Sequence, residues 1–306
     1  QLALDGRHWP DDMVTNAEVI YAISGVPRPE QAQNLRWVQT HSAGVDHLAD
    51  KPMWNSDILL TSASGIHTTN IAQYVMAQLL AWANHVPRWL KMKQEGKWPT
   101  DRWKKFVPTE LRGKTLGIVG YGSIGREVGR LAKSFGMKIL ATKGNARRLE
   151  DTDYTIVGTG DPSGELADRI YPPEATRSMV VECDFVVIAA PLTERTHHLF
   201  DEDMFKGMKS TAYVVNIGRG AIIKEDDLAK ALRKEWIAGA GLDVFEEEPL
   251  SEKSPLWKMD NVIMSPHVSG FTPQYDERVT DLFAENLRRY LAGEPLLNVI
   301  NRERGY

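Results

Sequence analysis

Thr115-Leu116-Gly117-Ile118-Val119 runs straight into Gly120-Tyr121-Gly122-Ser123-Ile124-Gly125, and a helix-patterned stretch, residues 124–135, leaves it. A short apolar strand, a G-x-G-x-x-G turn and a helix together make a βα unit in which each glycine has a physical task. Gly120 permits the tight turn, Gly122 lets the backbone approach a pyrophosphate, and Gly125 lets the helix lie close against the strand. The first N–H groups of the helix have no partner inside it, and its positive dipole end favours an anion. Gly120, Gly122, Ser123, Ile124 and Gly125 are therefore candidate dinucleotide-binding residues. The glycine pattern alone is common; its place between a strand and a helix makes it informative.

The surrounding pattern agrees with that unit. Short β-branched runs at residues 139–142, 185–190, 212–216, 239–244 and 262–265 are mostly separated by helix-length segments, the alternation of a doubly wound parallel sheet. Earlier, residues 19–24, 35–40 and 58–61 read as strands of a separate α/β unit. Ile71, Val75, Leu79, Trp82, Val86 and Leu90 recur at helical spacing across residues 70–93, with a kink expected at Pro87 where this long helix passes between domains. A last helix, residues 272–293, returns the chain to the first domain. At 306 residues two domains are expected. The expected fold is α/β with two domains, each a mainly parallel sheet flanked by helices: residues 1–85 plus 278–306, and a Rossmann-type nucleotide-binding domain over 86–277. Residues 144–180, polar and rich in Gly, Pro, Asp and Arg, read as an irregular excursion.

Composition narrows the partners. A net charge of −4 gives no reason to expect nucleic acid or an anionic membrane, and no apolar run is long enough to span a bilayer. No secretory signal pattern opens the chain, and the single cysteine, Cys183, fits a reducing cytoplasm and reads as a buried thiol at a strand edge. The chain opens on Gln1 rather than Met, so a preceding segment, and with it part of the first strand, is left open.

Ligands of open α/β sheets bind beyond the carboxyl ends of the strands. After residues 212–216 comes Ile217-Gly218-Arg219-Gly220. After 239–242 comes Asp243 and then Glu246-Glu247-Glu248-Pro249, and after 262–265 comes Pro266-His267. A guanidinium, a set of carboxylates and an imidazole thus reach one edge beside the glycine turn. Together Asn216-Ile217-Gly218-Arg219-Gly220, Gly241-Leu242-Asp243-Val244-Phe245-Glu246-Glu247-Glu248-Pro249 and Ser265-Pro266-His267-Val268-Ser269-Gly270 resemble the signatures of the D-isomer-specific 2-hydroxyacid dehydrogenases. Pro191-Leu192-Thr193-Glu194-Arg195-Thr196 is similar to the same family, and Ser42-Ala43-Gly44-Val45-Asp46 resembles its substrate-carboxylate loop. The resemblance spans nearly the whole chain, in order.

It implies a catalytic set of Arg219, Glu248 and His267. The chemistry suits a 2-oxo acid: a guanidinium grips both carboxylate oxygens, and an imidazole supplies the proton that the nascent alkoxide needs. Glu248 then orients the ring and favours its charged form, with Glu246 and Glu247 as alternatives. The hydride belongs to the nicotinamide. The resemblance further implies that Asp243 holds the carboxamide, that Pro191 and Ile217 line the nicotinamide end, that Thr196 lies near its ribose or the pyrophosphate, that Gly270 also belongs to the cofactor site, and that Ala43 and Gly44 offer backbone N–H groups to the substrate.

An NAD-preferring site usually carries an acidic residue about 20 residues beyond the glycines. Here the second strand runs into Lys143, then Asn145, Arg147 and Arg148, with no carboxylate until Glu150. Basic groups attract a 2′-phosphate, so NADP(H) is expected over NAD(H); a solvated basic loop is the competing reading. The motifs call for no metal.

The implied activity is reduction of a small 2-oxo acid, glyoxylate, hydroxypyruvate or a phenylpyruvate-like compound, to the D-2-hydroxy acid. The alternative is a dinucleotide-sensing, corepressor-like binding protein. The ending at Tyr306 disfavours phosphoglycerate dehydrogenases with regulatory domains, and Glu248 disfavours formate dehydrogenases. Gln73 departs from the acidic residue usual in the crossing helix, with altered helix contacts or pocket polarity as its expected effect. Trp82, Trp98 and Trp103 are expected to pack, and the resemblance implies a homodimer.

Overall fold

A computed structural model describes residues 11–23 and 25–306; the end of the strand expected over 19–24 therefore lies partly outside the described residues. The chain divides into two units. One comprises Gln1–His67, Thr152–Ile156 and Thr272–Tyr306, the other Thr68–Asp151 and Val157–Phe271.

The first unit is built on a three-stranded parallel sheet, β1 (Val19–Ala22), β2 (Trp37–Thr40) and β3 (Leu59–Thr61), in the order β1-β2-β3. Val38, Leu60, Leu48 and Met53 form its core. The helix Tyr275–Ala292 packs Phe283 against Trp37 and Tyr21, with ring centroids 5.4 and 5.2 Å apart. Asn286 donates to Gln39 Oε1 (3.1 Å), so the helix is fixed to β2 by a buried hydrogen bond as well as by apolar contact. Residues 152–156 belong to this unit too. The Tyr154 amide donates to Asn298 Oδ1 at 3.0 Å, and Gly65 lies against the Tyr154 carbonyl.

The second unit contains seven parallel strands: β4 (Thr115–Val119), β5 (Lys138–Thr142), β6 (Arg169–Tyr171), β7 (Phe185–Ile188), β8 (Tyr213–Asn216), β9 (Gly239–Leu242) and β10 (Val262–Met264). Their order is β10-β9-β8-β7-β4-β5-β6, the doubly wound, Rossmann-type arrangement whose direction reverses at β4. Phe185-Val186-Val187-Ile188 and Tyr213-Val214-Val215-Asn216 are buried throughout, as central strands covered on both faces must be. Gly117 leaves room on β4 for the thiol of Cys183, which is fully buried.

Three expectations need correction. The division falls at His67/Thr68 and Phe271/Thr272 rather than at residues 85 and 278, because Ile71, Ala72, Val75 and Leu79 share a core cluster with Leu116, Ile118 and Val128. The helix expected over 70–93 is two helices, Thr68–Ala83 and Val86–Glu95, and the chain breaks at His85, whose φ of 59° is left-handed. Pro87 lacks the N–H that would have met the Ala83 carbonyl, and the Thr109 amide takes that carbonyl instead at 2.8 Å. The excursion 144–180 is partly regular: it contains β6, which pairs with β5, and the helix Thr176–Val180. Arg126 and Tyr121, both buried, hold it in place. The Arg126 guanidinium donates to the carbonyls of Asp161 and Leu149, and the Tyr121 hydroxyl donates to Asp161 Oδ2.

Candidate active site

At the β4 turn, Gly120 adopts a φ of 102°, open to glycine at little cost, and a Cβ there would strike the backbone of Ala189 and Ala190 beyond β7. A Cβ at Gly125 would lie 2.3 Å from the Gly120 carbonyl, so the helix Ser123–Ser134 sits hard against the turn. Gly122 is different: among the described residues, nothing beyond its own chain neighbours lies within 4 Å of where its Cβ would be. Protein packing therefore does not account for that glycine, and the open space at its backbone is where a pyrophosphate is expected. Ser123 and Ile124 are the first two helical residues, with N–H groups ahead of the intrahelical ladder that begins at Arg126 N to Gly122 O (2.9 Å). This is the cradle that a dinucleotide fits.

At the end of β5, Lys143 reaches back along its own loop. Its ammonium donates to the carbonyls of Arg148 (2.7 Å), Leu149 and Glu150 (both 3.3 Å). Asn145 Oδ1 accepts from the Arg147 amide at 3.1 Å, a turn that leaves Arg147 and Arg148 exposed. Lys143 thus shapes the loop, and Arg147 and Arg148 carry its outward charge. Thr196 is also engaged locally: its hydroxyl donates to the Pro191 carbonyl (2.7 Å) and accepts from the Thr193 amide (2.8 Å), closing the loop that follows β7. Ile217 is buried, and Pro191 is exposed.

Strands β8, β9 and β10 are neighbours and parallel, so their carboxyl ends open on one edge. Arg219 follows β8 in a turn braced by Asn216, whose side chain donates to the Arg219 carbonyl (3.0 Å) and accepts from the Gly218 amide (3.1 Å). Next to it, a Cβ on Gly220 would lie 1.8 Å from the Phe245 carbonyl group. Only glycine lets the Arg219 turn and the 245–248 loop come so close. Glu248 Oε1 accepts from the Phe245 amide (2.9 Å), and Oε2 lies 2.7 Å from His267 Nδ1. Of the three adjacent glutamates it is Glu248 that meets the ring; Glu246 is bonded to His198 at 2.5 Å. The His267 side chain is half exposed, and among the described residues its Nε2 has no hydrogen-bond partner.

Asp243, only 1% exposed, underpins this edge. Its carboxylate accepts from Ser265 Oγ (2.6 Å), Val268 N (2.9 Å) and Ser269 N (3.0 Å), and its carbonyl accepts from His267 N (2.8 Å). The residue expected at the carboxamide therefore also organises the loop that bears His267. Gly270 ends that loop. Sequence reading missed Tyr74 and Gln78, one helical turn apart, which bond onward to Ser265; attention fell on Gln73, which is exposed. Polar residues at i and i+4 on the apolar face were the available signal.

Ala43 and Gly44 lie in the first unit, in the loop after β2. Ser42 Oγ donates to the Gly44 carbonyl (2.9 Å) and shapes the turn. Among the described residues no acceptor meets the amides of Ala43 and Gly44. Trp82 packs as expected, stacked on Tyr213 at 4.6 Å, but Trp98 and Trp103 are each 77% exposed, since the segment after Val86–Glu95 leaves the core.

Residues 76–269, well over half of the chain, match the family model described as D-isomer specific 2-hydroxyacid dehydrogenase, NAD binding domain. The chain belongs to that family. Among family relatives it is 37% identical over 276 residues to a glyoxylate reductase of Korarchaeum cryptofilum, covering 90% of this chain and 78% of the relative. A D-isomer specific 2-hydroxyacid dehydrogenase of Xanthobacter autotrophicus, solved with NADPH and MES, aligns with a TM-score of 0.78 at 28% identity, over 94% of this chain and 85% of that one. An NADPH-dependent glyoxylate/hydroxypyruvate reductase of Sinorhizobium meliloti, solved with NADP and sulfate, aligns with a TM-score of 0.77 at 25% identity, over 95% and 88%. Like them, the chain is an α/β oxidoreductase built to use a nicotinamide dinucleotide. No helix among the described residues is long and apolar enough to cross a membrane.

Proposed function

We propose that this dehydrogenase is an NADPH-preferring reductase of small 2-oxo acids, with glyoxylate and hydroxypyruvate ahead of phenylpyruvate, and that it forms the D-2-hydroxy acid. The observation that carries the reading is the His267–Glu248 pair: one ring nitrogen is tied to a carboxylate at 2.7 Å and the other is open. A carboxylate on Nδ1 fixes the tautomer and orientation, so that Nε2 presents the proton. A bound reduced nicotinamide would supply the hydride, with the β4 turn holding its pyrophosphate and Asp243 its carboxamide. Arg219 grips the substrate carboxylate and polarises the adjacent carbonyl, and His267 Nε2 protonates the oxygen as the alkoxide forms. The open amides of Ala43 and Gly44 suit a carboxylate as well.

The preference for NADPH rests on Arg147 and Arg148, exposed where an acidic residue would otherwise meet a ribose hydroxyl. The glyoxylate reductase relative and the NADP-bound neighbour support the substrate and cofactor together. Extension of the homodimer to this chain rests on the resemblance; Trp89, Leu90, Trp98 and Trp103 are exposed apolar side chains open to a second copy. The test is steady-state oxidation of NADPH and NADH with glyoxylate, hydroxypyruvate and phenylpyruvate. Turnover with NADPH and the two small acids is expected. Tight dinucleotide binding without turnover of any of them overturns the enzyme reading in favour of a sensor.

A further inference from the structure

A line of buried or half-buried polar groups runs from the helix Thr68–Ala83 to the loop that carries His267. Tyr213 donates to Gln78 Oε1 (3.1 Å), and Gln78 Nε2 donates to the Tyr74 hydroxyl oxygen (2.6 Å). The Tyr74 hydroxyl and Ser265 Oγ are 2.6 Å apart, and Ser265 Oγ donates to Asp243 Oδ1 (2.6 Å). Proton counting fixes the middle bond. Ser265 has one hydroxyl proton, and Asp243 takes it, so Tyr74 must donate to Ser265. The bonds from Gln78 to Asp243 therefore all point the same way and end on a carboxylate, the arrangement in which each bond strengthens the next. Gly241 provides the room, since a Cβ there would lie 2.8 Å from both Gln78 Oε1 and the Tyr213 hydroxyl.

The carboxylate at the end of this line holds a strained segment. His267 has a φ of 54°, left-handed and unfavourable for a side chain with a Cβ. It keeps that conformation while its amide bonds the Asp243 carbonyl and the two following amides bond the Asp243 carboxylate. A second tie runs in parallel: Asn70, also on the helix Thr68–Ala83, donates to the Ser269 carbonyl at 2.7 Å. We propose that Tyr74 and Ser265 are positioning residues for His267, acting through Asp243, so that the helix Thr68–Ala83 sets where the imidazole points. Neither residue touches the imidazole. The inference rests on the assignment of His267 as the proton donor.

Two readouts separate the inference from that assignment: hydrogen exchange of the Val268 and Ser269 amides in the full chain, and the kinetics of NADPH oxidation with glyoxylate. In Ser265→Ala both amides exchange about fivefold to tenfold faster, the worth of one lost hydrogen bond. In the same variant kcat falls about tenfold while the KM for NADPH stays put, as expected when a reacting group is misaimed. Tyr74→Phe moves both readouts in the same direction by less. Ser265→Thr, which keeps the hydroxyl, returns both toward wild type, and Gln73→Ala on the exposed side of the same helix alters neither. Unchanged exchange in Ser265→Ala overturns the inference, as does a rise in the KM for NADPH with kcat intact. Failure of the wild type to turn over any 2-oxo acid would count against the enzyme reading, while the exchange measurement would still decide whether Tyr74 and Ser265 hold the loop.

Discussion

Glu248 Oε2 lies 2.7 Å from His267 Nδ1, and the other oxygen of the same carboxylate accepts the amide of Phe245. Glu248 is thereby fixed to its own loop before it meets the ring. His267→Ala is expected to lower kcat for glyoxylate reduction by on the order of a thousandfold and to leave the Kd for NADPH within about twofold. Glu248→Gln removes the charge and leaves one acceptor oxygen where the Phe245 amide and the ring use two, yet a side chain still stands beside the ring, so a smaller loss, roughly tenfold to a hundredfold, is expected. Stopped-flow measurement of NADPH oxidation, with fluorescence titration for binding, checks both. A fully active His267→Ala removes the assigned proton donor.

Arg219 stands at the end of β8, with its turn pressed against Phe245 by way of Gly220. A lysine there would keep the charge and lose the planar fork. Arg219→Lys is expected to raise the KM for the 2-oxo acid by about tenfold or more, with the KM for NADPH little changed. Saturation curves in each substrate distinguish the two parameters.

The basic loop after β5 predicts a cofactor-specific defect with two origins. Arg147 is exposed, whereas the Lys143 ammonium binds three carbonyls of the loop. Arg147→Ala should raise the KM for NADPH by about fivefold to tenfold, an effect that shrinks as salt rises, and leave NADH unaffected. Lys143→Ala should weaken NADPH by letting the loop move, with less dependence on salt, and the double variant should combine both losses. Equal losses with NADH and NADPH would contradict the 2′-phosphate assignment.

Acid stability follows from two carboxylates that cap neighbouring strands. Burial opposes ionisation of Asp184, but the Thr115 amide (2.9 Å) and the Lys209 ammonium (2.9 Å) outweigh it and lower its pKa. Asp168 is lowered in the same way, with burial again opposed by the Ile139 amide and Lys133. Carboxyls lowered in the folded state stabilise it fully above the unfolded value, about 3.9, and that contribution is lost as pH falls from there through the folded value. Asp184→Asn should lower Tm at pH 7 and flatten the fall in Tm below about pH 4. Melting curves from pH 3 to pH 7 test it.

Burial pushes the Cys183 thiol up to about 12, and the side chain is packed against Gly117 and Met179. Thiol reagents at pH 8 should leave the native protein unmodified and label it fully once it is unfolded. Rapid labelling of native protein would show that the segment beside β4 opens.

The glycine turn and most of the strands were legible because each is a local matter: a glycine where the turn demands one, apolar runs where both sheet faces are covered. Strand β6 was not, since Arg169-Ile170-Tyr171 owes its conformation to pairing with β5 rather than to its own pattern. The break at His85 was placed close to Pro87 but underestimated, because the bond from Thr109 that accepts the loose Ala83 carbonyl comes from distant sequence. At the site, the resemblance implied Glu248 with Glu246 and Glu247 as alternatives, and the folded loop brings Glu248 to His267 and Glu246 to His198. Tyr74 and Ser265 were invisible for the same reason: they meet across 191 residues of chain.

The first unit is assembled from three separated pieces of chain, and its β3 depends on the last of them. Ile300 donates to the Leu60 carbonyl (2.9 Å), Val299 bridges to Thr61, and Asn298 bonds Ser62. During synthesis, then, the segment that leaves the ribosome early must wait for the residues that leave it late, while residues 68–271 hold nearly all they need to fold in between. Order of translation and order of completion run opposite ways here, and a chain interrupted shortly after residue 271 would present an unfinished β-edge to whatever captures nascent polypeptides.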